Sequence, residues 1–406
     1  MQAENKIKSA DVFVAGVGAI TAIGNNIGEC LHALEHEEAG MGDAVYLETT
    51  LRGKIPVAEV KLDNKQLAEL TGFSSNISRT ALLSAVAANE AVEAAGIKGF
   101  GKLRTGFISA NTVGGMDKSE QFFSQFLSNN QHGKLRDIVN HECGTVTELV
   151  ADKLGIRHYV STISTACSSS ANAIFYGARL IKHNMLDVVV AGGTDALAKF
   201  TLNGFNTLMI LDSQFCKPFD ANRNGLNMGE GAGYVVLVSE RVASNLKNKP
   251  LCKLSGYCNR NDAYHQTASS PDGTGSWLAM NGALENAGLQ PEDIDYINLH
   301  GTGTQNNDLA EGTAIKRLFA PHYPKMSSTK SFTGHTLGAS GGVEAVFSVL
   351  AIQHGIVYPN LRLTTPMPEL PFTPETAFLK GVDIKHVLSN SFGFGGNCSS
   401  LIFSKL

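Results

Sequence analysis

The chain has 406 residues, 43% hydrophobic and 17% charged, and a formal net charge of -4. This is a globular composition, long enough for two ordinary domains or one large one with a sizeable core, and it does not fit a disordered chain. The weak negative charge excludes the basic excess that a phosphate backbone requires, so nucleic acid is not an expected partner.

Met1–Ala10 carries Glu4, Lys6 and Lys8 and lacks the apolar core of a signal peptide. The longest apolar stretches fall far short of the roughly 18 to 20 residues that cross a bilayer, so no membrane insertion is expected. Seven cysteines form an odd set with no Cys-x-x-Cys pair, which suggests neither a disulfide framework nor a thiolate metal site. The expectation is a reducing cytoplasm, no metal, and thiols that act mostly as small buried hydrophobes.

In chain order, Asp11-Val-Phe-Val-Ala-Gly-Val-Gly18 reads as a buried strand entering a turn. Gly16 and Gly18 are not followed by the third glycine and acidic residue of a dinucleotide fingerprint, which argues against a nicotinamide site. Ala81, Leu82, Ala85, Val86 and Ala88 follow helical spacing, with a stop at Gly96. A strand over Thr105–Ala110 comes next, then a strand from Tyr159 to Thr165 and an amphipathic helix from Ser168 to His183. Leu186–Ala191 is another buried strand. Gly229, Gly231 and Gly233 lead into Tyr234–Val238 as a hairpin-forming region rather than a phosphate loop, because no Lys-Ser/Thr pair follows.

The second part repeats these kinds of element. It has a helix over Gly275–Ala287, a strand over Ile294–Leu299, a helix over Asp308–Phe319 and an amphipathic helix over Gly341–Gln353 ending at Gly355. Pro366, Pro368, Pro371 and Pro374 mark Pro359–Pro374 as an irregular surface crossing. Alternating strands and helices argue for an α/β fold with largely buried sheets.

Ser164-Thr-Ala-Cys-Ser-Ser-Ser170 places Cys167 between a buried strand and a helix, where free backbone N–H groups and the helix dipole favour a thiolate. The same N–H groups can receive the oxygen of an attacked thioester. An inert buried thiol is the alternative reading. His300, in Asn298-Leu-His-Gly-Thr-Gly-Thr304, follows a strand, and His335 lies in Ser331-Phe-Thr-Gly-His-Thr-Leu-Gly338. Alone, a histidine is more often a surface or hydrogen-bonded structural residue. Together with Cys167 they can activate a thiolate or donate to an enolate oxygen.

Thr165-Ala-Cys-Ser-Ser169, His300-Gly-Thr-Gly-Thr304, Lys330-Ser-Phe-Thr-Gly-His335 and Asn390-Ser-Phe-Gly-Phe-Gly-Gly396 occur in this order, and the likeness runs from about Val12 to Phe403. They resemble the active-site signatures of β-ketoacyl-acyl-carrier-protein synthases, in particular the elongating bacterial type and its polyketide relatives. The resemblance implies a thiolase-like α/β fold of two similar halves, 11–251 and 252–406, in five αβαβα layers. It implies that Cys167 takes an acyl group from carrier phosphopantetheine, with no bound cofactor. His300 and His335 would stabilise the enolate from malonyl-carrier decarboxylation, and the Cys167 and Phe394 N–H groups would form the oxyanion hole. Lys330 matches an active-site lysine and Glu344 its nearby partner, although read without the family the two are a solvated pair. Thr302 and Thr304 would bind the pantetheine arm, Phe394 would gate the acyl pocket, and Val113 and Phe205 would line its far end.

Acyl carrier protein is the implied partner, with a homodimer or a heterodimer with a related subunit. Three departures stand out. Gly393-Phe-Gly-Gly-Asn-Cys398 replaces a run that commonly reads Gly-Phe-Gly-Gly-Thr-Asn, Arg157-His158 stands where Gly-Pro is usual, and no basic cluster occurs over Phe73–Arg79. A non-catalytic chain-length subunit would lack Cys167. A coenzyme A-dependent thiolase would need a second cysteine, and a chalcone-synthase type would replace one histidine by asparagine.

Overall fold

The computed structural model describes residues 11–97, 101 and 103–406. The reading of Met1–Ala10 as lacking a signal core lies outside these residues. The elements run β1 (Val12–Thr21), α1 (Ile27–Glu35), α2 (Asn64–Thr71), α3 (Arg79–Ala94), β2 (Thr105–Ala110), α4 (Met116–Ser128), α5 (Cys143–Leu154), β3 (Tyr159–Ile163), α6 (Ser169–Lys182), β4 (Val188–Asp195), α7 (Lys199–Thr207), β5 (Gly231–Ser239) and α8 (Glu240–Ala243). They continue with β6 (Cys252–Asn261), α9 (Thr274–Ala287), β7 (Tyr296–Asn298), α10 (Gln305–Phe319), β8 (Lys325–Ser327), α11 (Lys330–Thr333), α12 (Ser340–His354), β9 (Ile356–Val357), β10 (Leu379–Lys380), β11 (His386–Gly393) and β12 (Asn397–Ser404).

Strand order in the large sheet is β3-β2-β4-β5-β1-β6-β12-β11-β7-β8. Its two sides mirror one another. β2 is parallel to β3 and β4, and β5 is antiparallel to β4 and β1, while β7 is parallel to β8 and β11, and β12 is antiparallel to β11 and β6. The halves join edge to edge where Phe13 and Val14 of β1 meet Lys253 and Cys252 of β6.

Alternation along each strand feeds separate cores, because successive side chains point to opposite faces. Val188 and Val190 of β4 pack with α3 and α5, whereas Val189 and Ala191 pack with α6 and α12. In the other half Leu388 and Ile402 face α9 and α10, while Val387, Leu401 and Phe403 join the same central core. The result is five layers, α3/α5, sheet, α6/α12, sheet, α9/α10, which is the thiolase-like αβαβα arrangement.

Strand β2 falls on Thr105–Ala110 as expected, and Gly96 and Gly355 adopt the left-handed conformation just past α3 and α12. Three expectations differ. Gly231–Ser239 forms no local hairpin; it enters between β4 and β1, antiparallel to both, after an excursion through α7. Helix α12 is not amphipathic in its setting: every residue from Ser340 to Ile352 is buried, because a helix between two sheets has no solvent face. The Pro359–Pro374 segment holds no helix or strand, yet Asn360, Leu363 and Met367 anchor it inward.

Helices α6 and α12 meet near their N-terminal ends. A Cβ on Gly341 would lie 2.9 Å from that of Ala171, and the Gly342 N–H donates to Ser170 Oγ at 2.7 Å. This contact brings the segments that precede the two central helices, one from each half, to a common point.

Candidate active site

Cys167 sits in the turn between β3 and α6. Ala166 takes a positive φ of 52°, a conformation costly for a residue with a Cβ, and local bonds hold it. Ser169 Oγ donates to the Ala166 carbonyl at 2.5 Å and accepts from the Thr165 N–H at 2.7 Å. The turn projects the sulfur inward, and the Phe394 N–H points toward it.

The protonation state differs from the expected thiolate. Burial pushes the Cys167 thiol up to about 11, against the pull of the Lys330 ammonium and the Phe394 N–H. Desolvation outweighs both, so the resting group is a thiol. Alkylation of Cys167 by a small thiol reagent is therefore expected to accelerate about tenfold per pH unit between about pH 7 and 9, as thiolate is the reactive form. A rate already level across that range would mean a depressed pKa instead.

His300 follows β7. Its N–H and that of Gly301 donate to the two carboxylate oxygens of Glu311 on α10 at 2.9 and 2.8 Å. His335 is held by the other half of the chain: its N–H donates to the Asn227 carbonyl at 2.8 Å, and its carbonyl accepts from the Gly229 N–H at 2.9 Å. The ring tautomers follow from the partners. His335 Nδ1 accepts from the Leu337 N–H at 3.1 Å, and His300 Nδ1 accepts from Lys330 Nζ at 3.3 Å, which leaves the proton on Nε2 of each ring. Burial and the nearby Lys330 charge hold both imidazoles well below their ordinary pKa. Both are thus neutral N–H donors at neutral pH. A ring nitrogen of each and the Cys167 sulfur all lie within 4.8 Å of one another.

Lys330 and Glu344 form a buried ion pair rather than a solvated one, with side chains only 2% and 3% exposed. Lys330 Nζ also donates to the His300 carbonyl at 2.7 Å. Its three N–H groups are committed to His300 Nδ1, this carbonyl and Glu344, so its part is to orient His300 and supply positive charge.

Cys167, His300 and His335 open into a cavity of about 440 Å³, which Thr302, Thr304, Phe205 and Phe394 also line. The hydroxyls of Thr302 and Thr304 lie 2.9 Å apart, and the Phe205 and Phe394 rings stack at 5.8 Å. Val113 does not line this cavity. It packs in an adjoining apolar cluster with Leu197, Leu202, Leu226 and Leu337, against which Phe205 also rests.

Because Val113 packs beside the cavity and not in it, Val113→Phe is expected to act through Phe205, which rests on the same cluster and lines the cavity. Pushed inward, that ring shortens the longest acyl primer accepted while short primers still react, each buried substrate methylene being worth about 0.8 kcal/mol. Primer-length profiles measured beside thermal unfolding check this. An unchanged profile, or failure of all primers with a large fall in Tm, means that the larger ring only overpacks the core.

Several residues that build the site escape a motif reading. Glu311 and Asp308 stand three apart on α10, so they share the helix face that receives the loop N–H groups; Asp308 accepts from Thr302 and Gly303 at 3.0 and 3.2 Å. Two acids at that spacing just after the histidine loop are the signal the sequence carries. Asp195, at the end of β4, accepts from the Thr112, Val113 and Gly338 N–H groups and so ties the His335 segment to the loop after β2. Burial pushes its carboxyl up to about 6.

The chain matches the beta-ketoacyl synthase N-terminal domain over residues 9–243 and the C-terminal domain over residues 251–364. It is 32% identical over 414 residues to 3-oxoacyl-[acyl-carrier-protein] synthase 2 of Staphylococcus aureus (strain N315), covering 97% of this chain and 98% of that one. It is 34% identical over 410 residues to nodulation protein E of Rhizobium meliloti, covering 97% and 99%. Among solved structures, the ishigamide ketosynthase/chain length factor superposes with a TM-score of 0.93 at 27% identity, covering 98% of this chain and all of that one.

Proposed function

The chain belongs to the beta-ketoacyl synthase family, and from that premise we propose how its residues carry out carrier-protein-dependent condensation. Cys167 attacks the thioester of an acyl-carrier protein. Its proton passes to the departing pantetheine thiol, so acyl transfer conserves protons and a resting thiol is no obstacle to it. The developing oxyanion is received by the Cys167 and Phe394 N–H groups. Malonyl-carrier protein then binds with its thioester oxygen toward the two imidazoles.

Loss of carbon dioxide leaves an enolate, which the Nε2–H groups of His300 and His335 stabilise without giving up their protons. The enolate carbon attacks the acyl-cysteine, the C–S bond breaks, and Cys167 regains a proton from solvent. A thiol pKa of about 11 favours that recovery. Thr302 and Thr304 hold the pantetheine arm, Phe394 and Phe205 gate and line the acyl route, and Lys330 with Glu344 sets the charge behind His300. The observation that carries this reading is the convergence of one thiol and two neutral imidazole donors within 4.8 Å.

The substrates arrive on phosphopantetheine, and we place the protein in the reducing cytoplasm, in keeping with seven free cysteines. Among the described residues no helix is long and apolar enough to cross a membrane. We take the units to be the halves 11–251 and 252–406, assembled as a homodimer or with a related subunit. A thiolase would need a second cysteine facing the substrate, and Cys167 is the one cysteine lining the cavity among the described residues.

The test is carbon dioxide release and β-ketoacyl product from the purified protein given acyl- and malonyl-carrier proteins. Product formed only when both carriers are present supports the reading, and turnover of acyl-coenzyme A alone contradicts it.

A further inference from the structure

The β11–β12 hairpin turns through Phe394–Gly396, so Phe394 sits at its tip and Asn397, just past the tip, faces Gly393 across the ladder. The tip presses on the nucleophile turn. A Cβ on Gly393 would lie 3.0 Å from the Thr165 carbonyl oxygen and 3.2 Å from the Cys167 nitrogen. Beside this contact the Asn397 side-chain oxygen accepts from Ser168 Oγ at 2.7 Å, Asn172 Nδ2 at 2.9 Å and Asn259 Nδ2 at 2.7 Å.

Ser168 immediately follows the nucleophile, Asn172 lies one turn along α6, and Asn259 is on β6. Asn172 extends the network by donating to Thr165 Oγ1 at 2.8 Å and accepting from Ser399 Oγ at 2.5 Å. One amide oxygen on the hairpin therefore faces three donor groups, two of them from the turn and helix that carry Cys167, with Ser168 Oγ sharing its single proton between this oxygen and the Thr165 carbonyl at 2.8 Å. Ser168 and Asn172 are buried, so water does not readily replace these bonds.

We propose that Asn397 is a positioning residue that ties the Phe394 tip to the Cys167 turn and sets the spacing of the two backbone N–H groups that receive the thioester oxygen. The inference rests on the condensing reading above. It separates the two half-reactions. Acyl transfer to Cys167 uses those N–H groups, whereas malonyl decarboxylation uses His300 and His335, which share no hydrogen bond with the Asn397 network among the described residues. A general loss of stability would lower both steps together.

The experiment measures both steps in Asn397→Ala, with Cys167 acylation followed by mass spectrometry and decarboxylation by carbon dioxide release. Acylation is expected to slow about 100-fold, the cost of a misplacement of about 1 Å, while decarboxylation stays within about threefold. Asn397→Asp keeps the accepting oxygen and is expected to recover most of the acylation rate. Unchanged acylation in the alanine variant, a proportional fall of both steps, or no recovery in the aspartate variant would overturn the proposal. If Asn397→Ala does not fold, Asn397→Ser, whose hydroxyl is too short to reach all three donors, is read by the same criteria. Absence of both steps from the unaltered protein would instead overturn the condensing reading.

Discussion

Cys167→Ala is expected to abolish acyl transfer and condensation, a loss on the order of 10⁴-fold or more, while malonyl-carrier decarboxylation survives. The reason is a division of labour in space. The sulfur is the group that forms the acyl bond, and no neighbouring side chain replaces it. Cys216 and Cys398 are buried elsewhere, with their thiols pushed up to about 11 and about 12, and neither lines the cavity. The imidazole donors remain in the alanine variant, since Lys330 and the Leu337 N–H hold their tautomers without help from the sulfur. Separate assays of acylation, decarboxylation and condensation check this. Residual condensation in the variant, or acyl label on Cys143, Cys216 or Cys398 of the unaltered protein with Cys167 free, would remove Cys167 from its role.

His300→Ala and His335→Ala are each expected to slow decarboxylation on the order of 100- to 1000-fold, the usual cost of deleting one preorganised donor. Acyl transfer should suffer less, because the charge these rings meet appears only when the enolate forms. Both rings are neutral for a physical reason: burial and the Lys330 charge oppose a second positive charge. An imidazole held well below its ordinary pKa stays an N–H donor down to mildly acidic pH, so decarboxylation should not show a histidine titration near pH 6.5. Near-normal decarboxylation in either variant would refute the role of that ring.

Much of the molecule was legible because its signals are local. Thr105–Ala110 is an apolar run bounded by its neighbours, and it folds as that strand. Cys167, His300 and His335 stand in short glycine- and serine-rich motifs that fold as loops at element ends, and the structure brings all three together. What depended on tertiary context was not legible. The hydrophobic positions of α12 repeat as on a surface helix, yet a sheet lies on each side of it, and nothing within the segment records the second one.

Lys330 and Glu344 stand 14 residues apart and read as a solvated pair, until the fold buries both behind His300. The resting thiol of Cys167 is hidden from a local reading for the same reason. A helix terminus is visible in the sequence, whereas the depth of burial that raises the thiol is a property of the assembled core. The Asn397 network joins residues 138 to 229 positions apart, which no local pattern links.

The most direct test of the account loads the unaltered protein with acyl-carrier protein, removes the excess, and then adds malonyl-carrier protein while the peptide containing Cys167 is followed by mass spectrometry. The account predicts one acyl group on Cys167, discharged on the second addition with release of one carbon dioxide and one β-ketoacyl-carrier product per acyl group. An acyl group found on another residue, or an acyl-Cys167 that malonyl-carrier protein leaves in place, would contradict it.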